Sequence, residues 1–366
     1  MPAGLLKRVF SGLLIAALAA AVPSTVPAAD PSVIKPDEEV ILFSTAAGLS
    51  EHEKVWVVTV HGWIFEREED SAWRNGLVDG LLGWLEISEV PVEDEPFNSR
   101  VRMFLVDNER GKKPIVRIGD RRFTMEPSGA NGHFRGIAIF DREGSLPMQA
   151  GQWIPVTVCS DTDCDRKFTG AVQLVPPDGV SVISDIDDTI KISNVTDKTR
   201  LLQNTFLKEY RAVPGMSEVY RRWADSGAVF HYVSASPWQL YPAITEFLQA
   251  EKFPAGSFHM KNFRVKDRTF FDLFRSPEDA KLRVIDSILK TFPGRKFILV
   301  GDSGEKDPEI YAAAARQNPE EIRHIFIRNV EGGTSEKKRI AEVLRDIPGD
   351  KWTVFDDLRE VDGLSW

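Results

Sequence analysis

The sequence predicts two architectures in one chain: an all-β, sandwich-like domain at residues 38–177 and a doubly wound α/β domain with a parallel sheet at residues 178–366. Before Pro176 and Pro177, which mark the boundary, apolar residues come in short runs rich in β-branched and aromatic side chains, separated by turn-forming residues. After Asp178, compact apolar runs alternate with amphipathic helical stretches, which is typical of parallel strands joined by crossover helices.

The first 29 residues have the order of a secretory signal peptide. Lys7 and Arg8 precede an apolar run at residues 9–22, and small residues lead up to Asp30. The run is shorter than the ~20 residues that a membrane span needs, so an uncleaved anchor is the less favoured alternative. We therefore expect a periplasmic or secreted protein.

The β region contains several runs with strand character. Predicted strands lie at residues 55–60, 101–106, 115–118, 137–140 and 153–158. Residues 72–87 instead place apolar side chains near helical spacing, which predicts a helix between the early strands. Cys159 and Cys164 are the only cysteines. An oxidising compartment allows them to form a disulfide, and the sequence leaves two free thiols as an equal alternative.

The second region alternates strands with helices. Predicted strands lie at residues 180–184, 228–234, 296–301, 322–327 and 352–355, and predicted helices at residues 216–226, 240–250, 279–292, 308–317 and 336–345. In open parallel sheets, ligands bind beyond the carboxyl ends of the strands. The residues that follow each apolar run are therefore the candidate site.

Two carboxylates follow the first of these strands. The string D-I-D-D-T occupies residues 185–189, and alternation along an extended segment places the side chains of Asp185 and Asp187 on the same side. Two such carboxylates cannot be buried cheaply without a cation. The alternative, a solvated acidic turn, suits a loop tip better than the end of an apolar strand.

Further polar residues follow the other strands. Ser234 ends the second strand. The third strand is followed by Gly301, which permits close backbone approach, and then by Asp302 and Asp307. Lys281 lies near the start of the helix that precedes the third strand. A hydroxyl can hold a phosphoryl oxygen, and carboxylates from separate strand ends are ligands that Mg²⁺ prefers. Each has a simpler alternative, which is a turn residue for Ser234, a helix cap for Asp307 and a solvated helix residue for Lys281.

In this order, the residues resemble the four motifs of the haloacid dehalogenase (HAD) superfamily: D-x-D, a strand-ending Ser, a Lys and G-D-x-x-x-x-D. The strings S-D-I-D-D-T-I-K-I-S-N-V, P-G-M-S-E-V-Y, Y-V-S-A-S-P-W-Q-L-Y and F-I-L-V-G-D-S-G-E-K-D-P-E-I-Y resemble the catalytic domain of the actin-patch-associated phosphatidate phosphatase family and its bacterial relatives. The resemblance covers residues 180–355 and implies a HAD-like fold with a small cap insertion at residues 191–213.

The resemblance also implies a phosphatase that works through an aspartyl-phosphate intermediate. By motif position, Asp185 is the nucleophile and Asp187 is the general acid and base. Ser234 and Lys281 hold the transferring phosphoryl group. Thr189 braces the loop through its hydroxyl.

Mg²⁺ is the cofactor that the resemblance implies. Its ligands are the carboxylates of Asp185 and Asp302 and the backbone carbonyl of Asp187, with Asp307 as a further candidate. Such a cation neutralises charge, so that an anionic nucleophile can approach an anionic phosphate.

The implied substrate is phosphatidate, hydrolysed to diacylglycerol and phosphate, so the implied partner is a phospholipid at a membrane surface. A small cap leaves the site open to a bulky lipid. Residues 265–275 mix basic and aromatic side chains as an interfacial loop does, and they also suit a protein core. Two alternatives remain: a phosphatase of soluble phosphomonoesters with the same residues, and a non-catalytic binding or adhesion protein. The formal net charge of −9 disfavours nucleic acid as a partner.

Overall fold

The computed structural model describes residues 32–50, 52–67, 83, 95–144, 148–161, 164–263, 278–330 and 332–361. In this part of the chain, helices accompany two β-sheets, one of nine strands and one of six. The larger sheet is formed before the predicted boundary and the smaller sheet after it. The coarser part of the predicted fold, mixed α/β content with a parallel sheet and an extensive β region, is therefore confirmed. The sandwich-like and HAD-like assignments stay predictions.

The nine-stranded sheet is organised around β3, a strand of 12 residues. The strand order is β1-β3-β2-β9-β8-β5-β6, and β4 and β7 also pair with β3. Arg121 of β6, the last strand in this order, donates to the Ile139 carbonyl of β7 at 3.0 Å. The β6 end of the sheet therefore lies close to β7. The strands are β1 Glu38–Leu42, β2 Thr45–Ser50, β3 Val55–Glu66, β4 Asp107–Asn108, β5 Ile115–Ile118, β6 Arg121–Thr124, β7 His133–Asp141, β8 Trp153–Cys159 and β9 Lys167–Leu174.

Side-chain alternation explains why these runs form strands. In β3, Trp56, Val58 and Val60 are buried, while Val57 and Thr59 between them are only partly buried. A strand sends successive side chains to opposite faces, so one face of β3 lines the core. The predicted strands at residues 55–60, 115–118, 137–140 and 153–158 are confirmed.

The predicted strand at residues 101–106 is wrong. A helix, α1, spans Glu95–Arg102, and the chain turns after its end. Phe97, Val101, Phe104 and Leu105 are all buried, and their spacing follows a helical period. The strand prediction missed this period because it began at Val101 and left out Phe97.

The strands of the six-stranded sheet are all parallel, in the order β12-β11-β10-β13-β14-β15. Its predicted strands and helices are confirmed, with ends that differ by at most three residues. The strands are β10 Val180–Ser184, β11 Val229–Pro237, β12 Gly256–Lys261, β13 Lys296–Asp302, β14 Ile322–Arg328 and β15 Trp352–Phe355. The helices are α2 Lys198–Phe206, α3 Met216–Asp225, α4 Tyr241–Ala250, α5 Glu278–Thr291, α6 Asp307–Gln317 and α7 Thr334–Val343.

The strand order brings the candidate residues to one edge. β10 lies between β11 and β13, so the three strand ends that carry the motifs are neighbours. After β10, the chain adds β11 and β12 on one side and then β13, β14 and β15 on the other. Ligand sites of open α/β sheets lie at the carboxyl edge beside such a reversal.

The two sheets share an apolar core. Phe43 and Trp63 of the first region join Trp238 and Tyr241 of the second in one buried cluster. The Tyr241 hydroxyl also accepts a hydrogen bond from the Ser44 amide at 2.9 Å. Because the core is continuous across both sheets, the division into two domains stays a prediction.

One buried cation fixes the connection between the sheets. Arg295 is 1% exposed and donates to the carbonyls of Pro176 (2.8 Å), Asp178 and Val180. It also donates to Ser181 Oγ at 2.7 Å. A guanidinium has five donors in a fixed plane, so these acceptors hold the connecting segment against the start of β10.

Cys159 and Cys164 form a disulfide, with Cα atoms 4.6 Å apart. It joins the end of β8 to the segment before β9. Among the described residues, no helix is long and apolar enough to cross a membrane. The predicted signal peptide, the predicted helix at residues 72–87 apart from Gly83, and the basic-aromatic segment at residues 265–275 lie outside the described residues.

Candidate active site

The D-I-D-D-T turn is held rigidly at the end of β10. The Asp185 amide donates to the Val300 carbonyl of β13 at 2.9 Å. Asp188 has a left-handed backbone (φ +55°), a conformation that Asp tolerates better than most residues. Its carboxylate accepts hydrogen bonds from the amides of Ser193, Asn194 and Val195 at 2.6–2.9 Å. The turn therefore has little freedom to move its two candidate carboxylates.

Asp185 is 1% exposed and has two direct partners. Lys281 Nζ lies 2.8 Å from its Oδ1, and the Thr189 hydroxyl donates to its Oδ2 at 3.1 Å. Burial, together with the charges of Asp307 and Asp187, raises the pKa of Asp185 to about 7, although Lys281 opposes the rise. Thr189 therefore touches the predicted nucleophile itself, besides its position in the loop.

Asp187 is buried among four polar side chains. Its Oδ1 lies 2.7 Å from Lys191 Nζ and accepts from Ser193 Oγ at 2.7 Å. Its Oδ2 accepts from Ser236 at 2.7 Å and from Ser234 at 3.2 Å. Burial opposes ionisation, but the Lys191 charge and these hydrogen bonds outweigh it and hold the pKa of Asp187 below its ordinary value. Asp187 is therefore an oriented carboxylate before any substrate binds.

Asp302 and Asp307 lie at the end of β13 and the start of α6, and both are 0% exposed. Asp302 Oδ1 accepts from the amides of Gly304 (2.6 Å) and Glu305 (3.2 Å), whereas no described residue forms a hydrogen bond with its buried Oδ2. Asp307 Oδ1 contacts Lys281 Nζ, and its Oδ2 accepts from the Asp302 amide at 3.3 Å. The helix-cap alternative for Asp307 does not hold, because Asp307 is the first residue of α6 and its carboxylate faces Lys281.

Lys281 is the cation that links these acids. It is 8% exposed and contacts both Asp185 and Asp307. Burial acts against its charge, but the two carboxylates prevail and raise the pKa of Lys281 well above its ordinary value. The solvated-helix alternative for Lys281 is therefore wrong.

Gly301 makes the close packing of these groups possible. A Cβ at this position would lie 2.3 Å from Asp307 Oδ2 and 2.7 Å from Asp307 Cβ. Both distances are far below van der Waals contact, so any side chain here would displace Asp307. The close backbone approach predicted for Gly301 is thus directed at a candidate metal ligand.

Three carboxylates could hold a metal ion at this edge. Oxygen atoms of Asp185, Glu305 and Asp307 all lie within 4.8 Å of one another. Burial and the neighbouring acids raise the pKa of Glu305 and of Asp302 well above their ordinary values. An all-oxygen donor set beside an unpartnered buried oxygen of Asp302 fits a hard cation such as Mg²⁺.

The structure gathers the predicted site residues at one edge of the parallel sheet. Lys281 contacts both Asp185 and Asp307, the Asp302 amide donates to Asp307, and Ser234 donates to Asp187.

Four residues of the site were not predicted from the sequence: Glu305, Lys191, Ser193 and Ser236. The sequence contained a signal for two of them. Lys191 lies four residues after Asp187, and Ser236 lies two residues after Ser234, so alternation along the strand places both serines on the same side.

A family model described as the catalytic domain of phosphatidate phosphatase APP1 matches residues 180–329. This segment contains every site residue described above. Residues 180–329 are therefore similar to this catalytic-domain family. The family's HAD relationship is consistent with the four motifs seen in the sequence.

Two proteins that are similar in sequence to this chain extend the comparison. Phosphatidate phosphatase APP1 of Saccharomyces cerevisiae is 38% identical over 247 residues, which cover 64% of this chain and 41% of the yeast protein. Uncharacterized protein C29B5.04c of Schizosaccharomyces pombe is 31% identical over 169 residues, which cover 45% of this chain and 27% of that protein. The matches thus span less than half the length of either relative.

Proposed function

We propose that this chain is a phosphatidate phosphatase, a phosphoric monoester hydrolase that converts phosphatidate to diacylglycerol and phosphate. The observation that carries the proposal is the buried Asp185 carboxylate in contact with Lys281, next to Glu305 and Asp307, in a domain of the APP1 catalytic family. A buried carboxylate flanked by a cation and candidate metal ligands suits attack on an anionic phosphate.

The proposed cofactor is Mg²⁺, held by the carboxylates of Asp185, Asp302, Asp307 and Glu305 and the backbone carbonyl of Asp187. Support comes from the unpartnered buried oxygen of Asp302 and the three clustered carboxylates. When bound, the ion supplies positive charge that offsets the negative charge of the acids and the phosphate.

The proposed chemistry has two displacements. Asp185 attacks phosphorus, the bond from phosphorus to the glycerol oxygen breaks, and Asp187 gives its proton to that oxygen. Asp187 then takes a proton from water, whose oxygen attacks the phosphorus of the aspartyl phosphate and releases phosphate and the Asp185 carboxylate. The structure holds the pKa of Asp187 below its ordinary value, so the proposed first step requires that the approaching anionic substrate raise this pKa by like-charge repulsion. Lys281 and Ser234 bind the transferring group.

The small size of the cap insertion supports a lipid substrate. In the described structure, the insertion at residues 191–213 contains one helix, α2, of nine residues. We expect a cap with one short helix to leave room for a bulky lipid at the carboxyl edge of the sheet. Location outside the cytoplasm is a further proposal, supported by the Cys159–Cys164 disulfide, since such bonds persist in oxidising compartments. Cell fractionation that recovers the protein in the cytoplasm would contradict it.

The test measures phosphate release by the full chain from phosphatidate vesicles and from a panel of soluble phosphomonoesters. We expect release from vesicles that requires Mg²⁺ and stops with a chelator. Asp185→Asn should abolish it, and acid-quenched wild-type enzyme should carry a phosphoryl group on the peptide containing residue 185. Asp225→Asn is the matched control, because Asp225 is an exposed residue at the end of α3.

The outcomes separate the candidate functions. Activity on the soluble panel alone would replace the lipid substrate with a soluble phosphomonoester. A folded wild-type protein that is inactive on both would contradict the phosphatase proposal and favour the binding or adhesion protein. Turnover retained by Asp185→Asn would remove Asp185 as the nucleophile.

A further inference from the structure

A residue from the first half of the chain reaches the surroundings of the catalytic carboxylates. Arg100, in α1, is 6% exposed although it carries a full charge. Its Nη1 donates to the carbonyls of Thr205 at 2.9 Å and Lys208 at 2.6 Å, at the end of α2. Arg100 thus satisfies carbonyl groups that a helix end leaves without internal partners.

The same guanidinium lies over an aromatic ring. Arg100 Cζ is 3.8 Å from the centroid of Tyr210, and Lys191 Nζ is 4.7 Å from the same centroid. The Tyr210 hydroxyl donates to the Thr205 carbonyl at 3.2 Å, so Tyr210 and Arg100 share an acceptor. Cations within about 6 Å of a ring centroid are attracted to its face. We call Arg100, Tyr210 and Lys191 the cation–aromatic stack.

Lys191 connects the stack to the reaction site. Its side chain is 2% exposed, and its Nζ lies 2.7 Å from Asp187 Oδ1 and 2.5 Å from Ser193 Oγ. A lysine side chain has many rotamers, and holding it in one of them costs conformational entropy. The Tyr210 ring and the surrounding burial restrict those rotamers, so the ammonium meets Asp187 in one geometry.

We propose that the cation–aromatic stack positions Asp187 for proton transfer to the leaving oxygen. Arg100 fixes Tyr210 and the end of α2, Tyr210 restricts Lys191, and Lys191 orients the carboxylate. The inference rests on the proposed function, and it makes the first half of the chain part of the reaction machinery. Arg100 and Tyr210 are positioning residues, because they act through Lys191.

The size of the effect follows from the accuracy that proton transfer requires. A displacement of about 1 Å at a reacting group lowers rates by about 100-fold, and general acid catalysis contributes about 10²–10⁴-fold. Loss of Arg100 loosens Asp187 without removing it. We therefore expect Arg100→Ala to lower kcat/KM by about 10- to 100-fold, but only for substrates whose leaving group must be protonated.

The experiment compares two substrates with the full chain. One is an alkyl phosphate that the wild-type chain hydrolyses, and the other is an aryl phosphate whose acidic phenol departs without a proton. The measured quantity is kcat/KM, because it covers the steps through departure of the leaving group. Arg100→Ala should lower kcat/KM for the alkyl phosphate and leave that for the aryl phosphate nearly unchanged. Asp187→Asn should change the same ratio further in the same direction.

Matched variants separate positioning from folding. Arg102→Ala removes an exposed arginine from the same helix and should leave the ratio unchanged. Arg100→Lys keeps a cation near Tyr210 and should change the ratio less than Arg100→Ala. It also supplies the measurement if Arg100→Ala does not fold. Tyr210→Phe, which keeps the ring, should lose less than Tyr210→Leu.

Equal losses on both substrates, or no loss in either Arg100 variant, would overturn the positioning role while leaving the proposed function standing. If the wild-type chain hydrolyses no phosphomonoester, phosphatidate in vesicles included, the proposed function fails and the inference falls with it. A selective loss on the alkyl phosphate, reduced in Arg100→Lys, supports the proposal.

Discussion

Replacement of Lys191 by Met tests the buried ion pair beside the catalytic turn. Lys191 and Asp187 are both nearly inaccessible to solvent, with Nζ and Oδ1 2.7 Å apart. At an effective dielectric constant of about 20, their attraction is about 6 kcal/mol, but burying two ions costs several kcal/mol each, so the intact pair contributes little net stability. Met keeps the length of the side chain and leaves Asp187 buried without its cation.

The expected loss in free energy of unfolding is about 3 kcal/mol near pH 8. Removing one member of a buried pair costs about 3–5 kcal/mol. The hydroxyls of Ser193, Ser234 and Ser236 still donate to Asp187, which places the loss at the lower end of that range.

The loss should depend on pH. In the wild type, the pKa of Asp187 lies below its ordinary value of 3.8, so its stabilising contribution is constant from pH 5 to pH 8 and is lost only in stronger acid. Without Lys191, burial raises that pKa. The variant then loses the whole of this free energy of unfolding at pH values above the raised pKa of Asp187. The loss decreases as the pH falls through that pKa, because a neutral Asp187 needs no cation. The difference between the two proteins should therefore shrink as the pH falls.

The assay is urea unfolding of the full chain at pH 8 and pH 5, in the presence of a chelator so that bound metal does not contribute. Lys290→Met is the control, because Lys290 is exposed at the end of α5 and its loss should cost less than about 0.5 kcal/mol. Lys191→Met combined with Asp187→Asn should recover most of the lost stability. A loss that is identical at both pH values and is not relieved by Asp187→Asn would refute the ion-pair reasoning.

Two further predictions concern the packing around the site and between the sheets. Gly301→Ala should displace Asp307, because the new Cβ would lie 2.3 Å from Asp307 Oδ2, and the Mg²⁺ concentration needed for half-maximal activity should rise about 10-fold or more. Gly227→Ala controls for glycine replacement as such, because its added Cβ would have no atom nearby although its φ is positive. An unchanged Mg²⁺ requirement in Gly301→Ala would contradict the prediction. Arg295→Met should destabilise the protein by about 3 kcal/mol, because it leaves the buried carbonyls of the connecting segment without their donor. Thermal unfolding measures this loss, and a midpoint equal to that of the wild type would show that the connection does not depend on Arg295.

Local patterns in the sequence were sufficient for much of the fold. Short β-branched and aromatic runs identified β3, β5, β7 and β8, and the strand-helix alternation after residue 178 identified the parallel sheet. The strand prediction failed at residues 101–106, where a window that began at Val101 cut through a helical period starting at Phe97. Periodicity is informative only when the window contains the whole element.

The candidate site was predictable to the extent that topology brings strand ends together. Asp185 and Asp302 lie at the ends of two apolar strands, β10 and β13. Because these strands pair in parallel, their carboxyl ends lie side by side and bring the two aspartates near each other. Glu305 was not predictable in this way, because it lies in the loop after β13, where no periodic pattern fixes the direction of a side chain. Its approach to Asp185 depends on how that loop folds.

The sequence by itself determined that the first region is rich in β-strands, that the second contains a parallel sheet, and that two aspartates of a D-x-D motif follow its first strand. Only the tertiary structure decided that Lys191 neutralises Asp187 and that Arg100 reaches Tyr210. Arg100 and Tyr210 are 110 residues apart in sequence, and local propensities carry no information about contacts at such separations. Burial is likewise a property of the packed chain, and together with neighbouring charges and hydrogen bonds it shifts the pKa values of these groups.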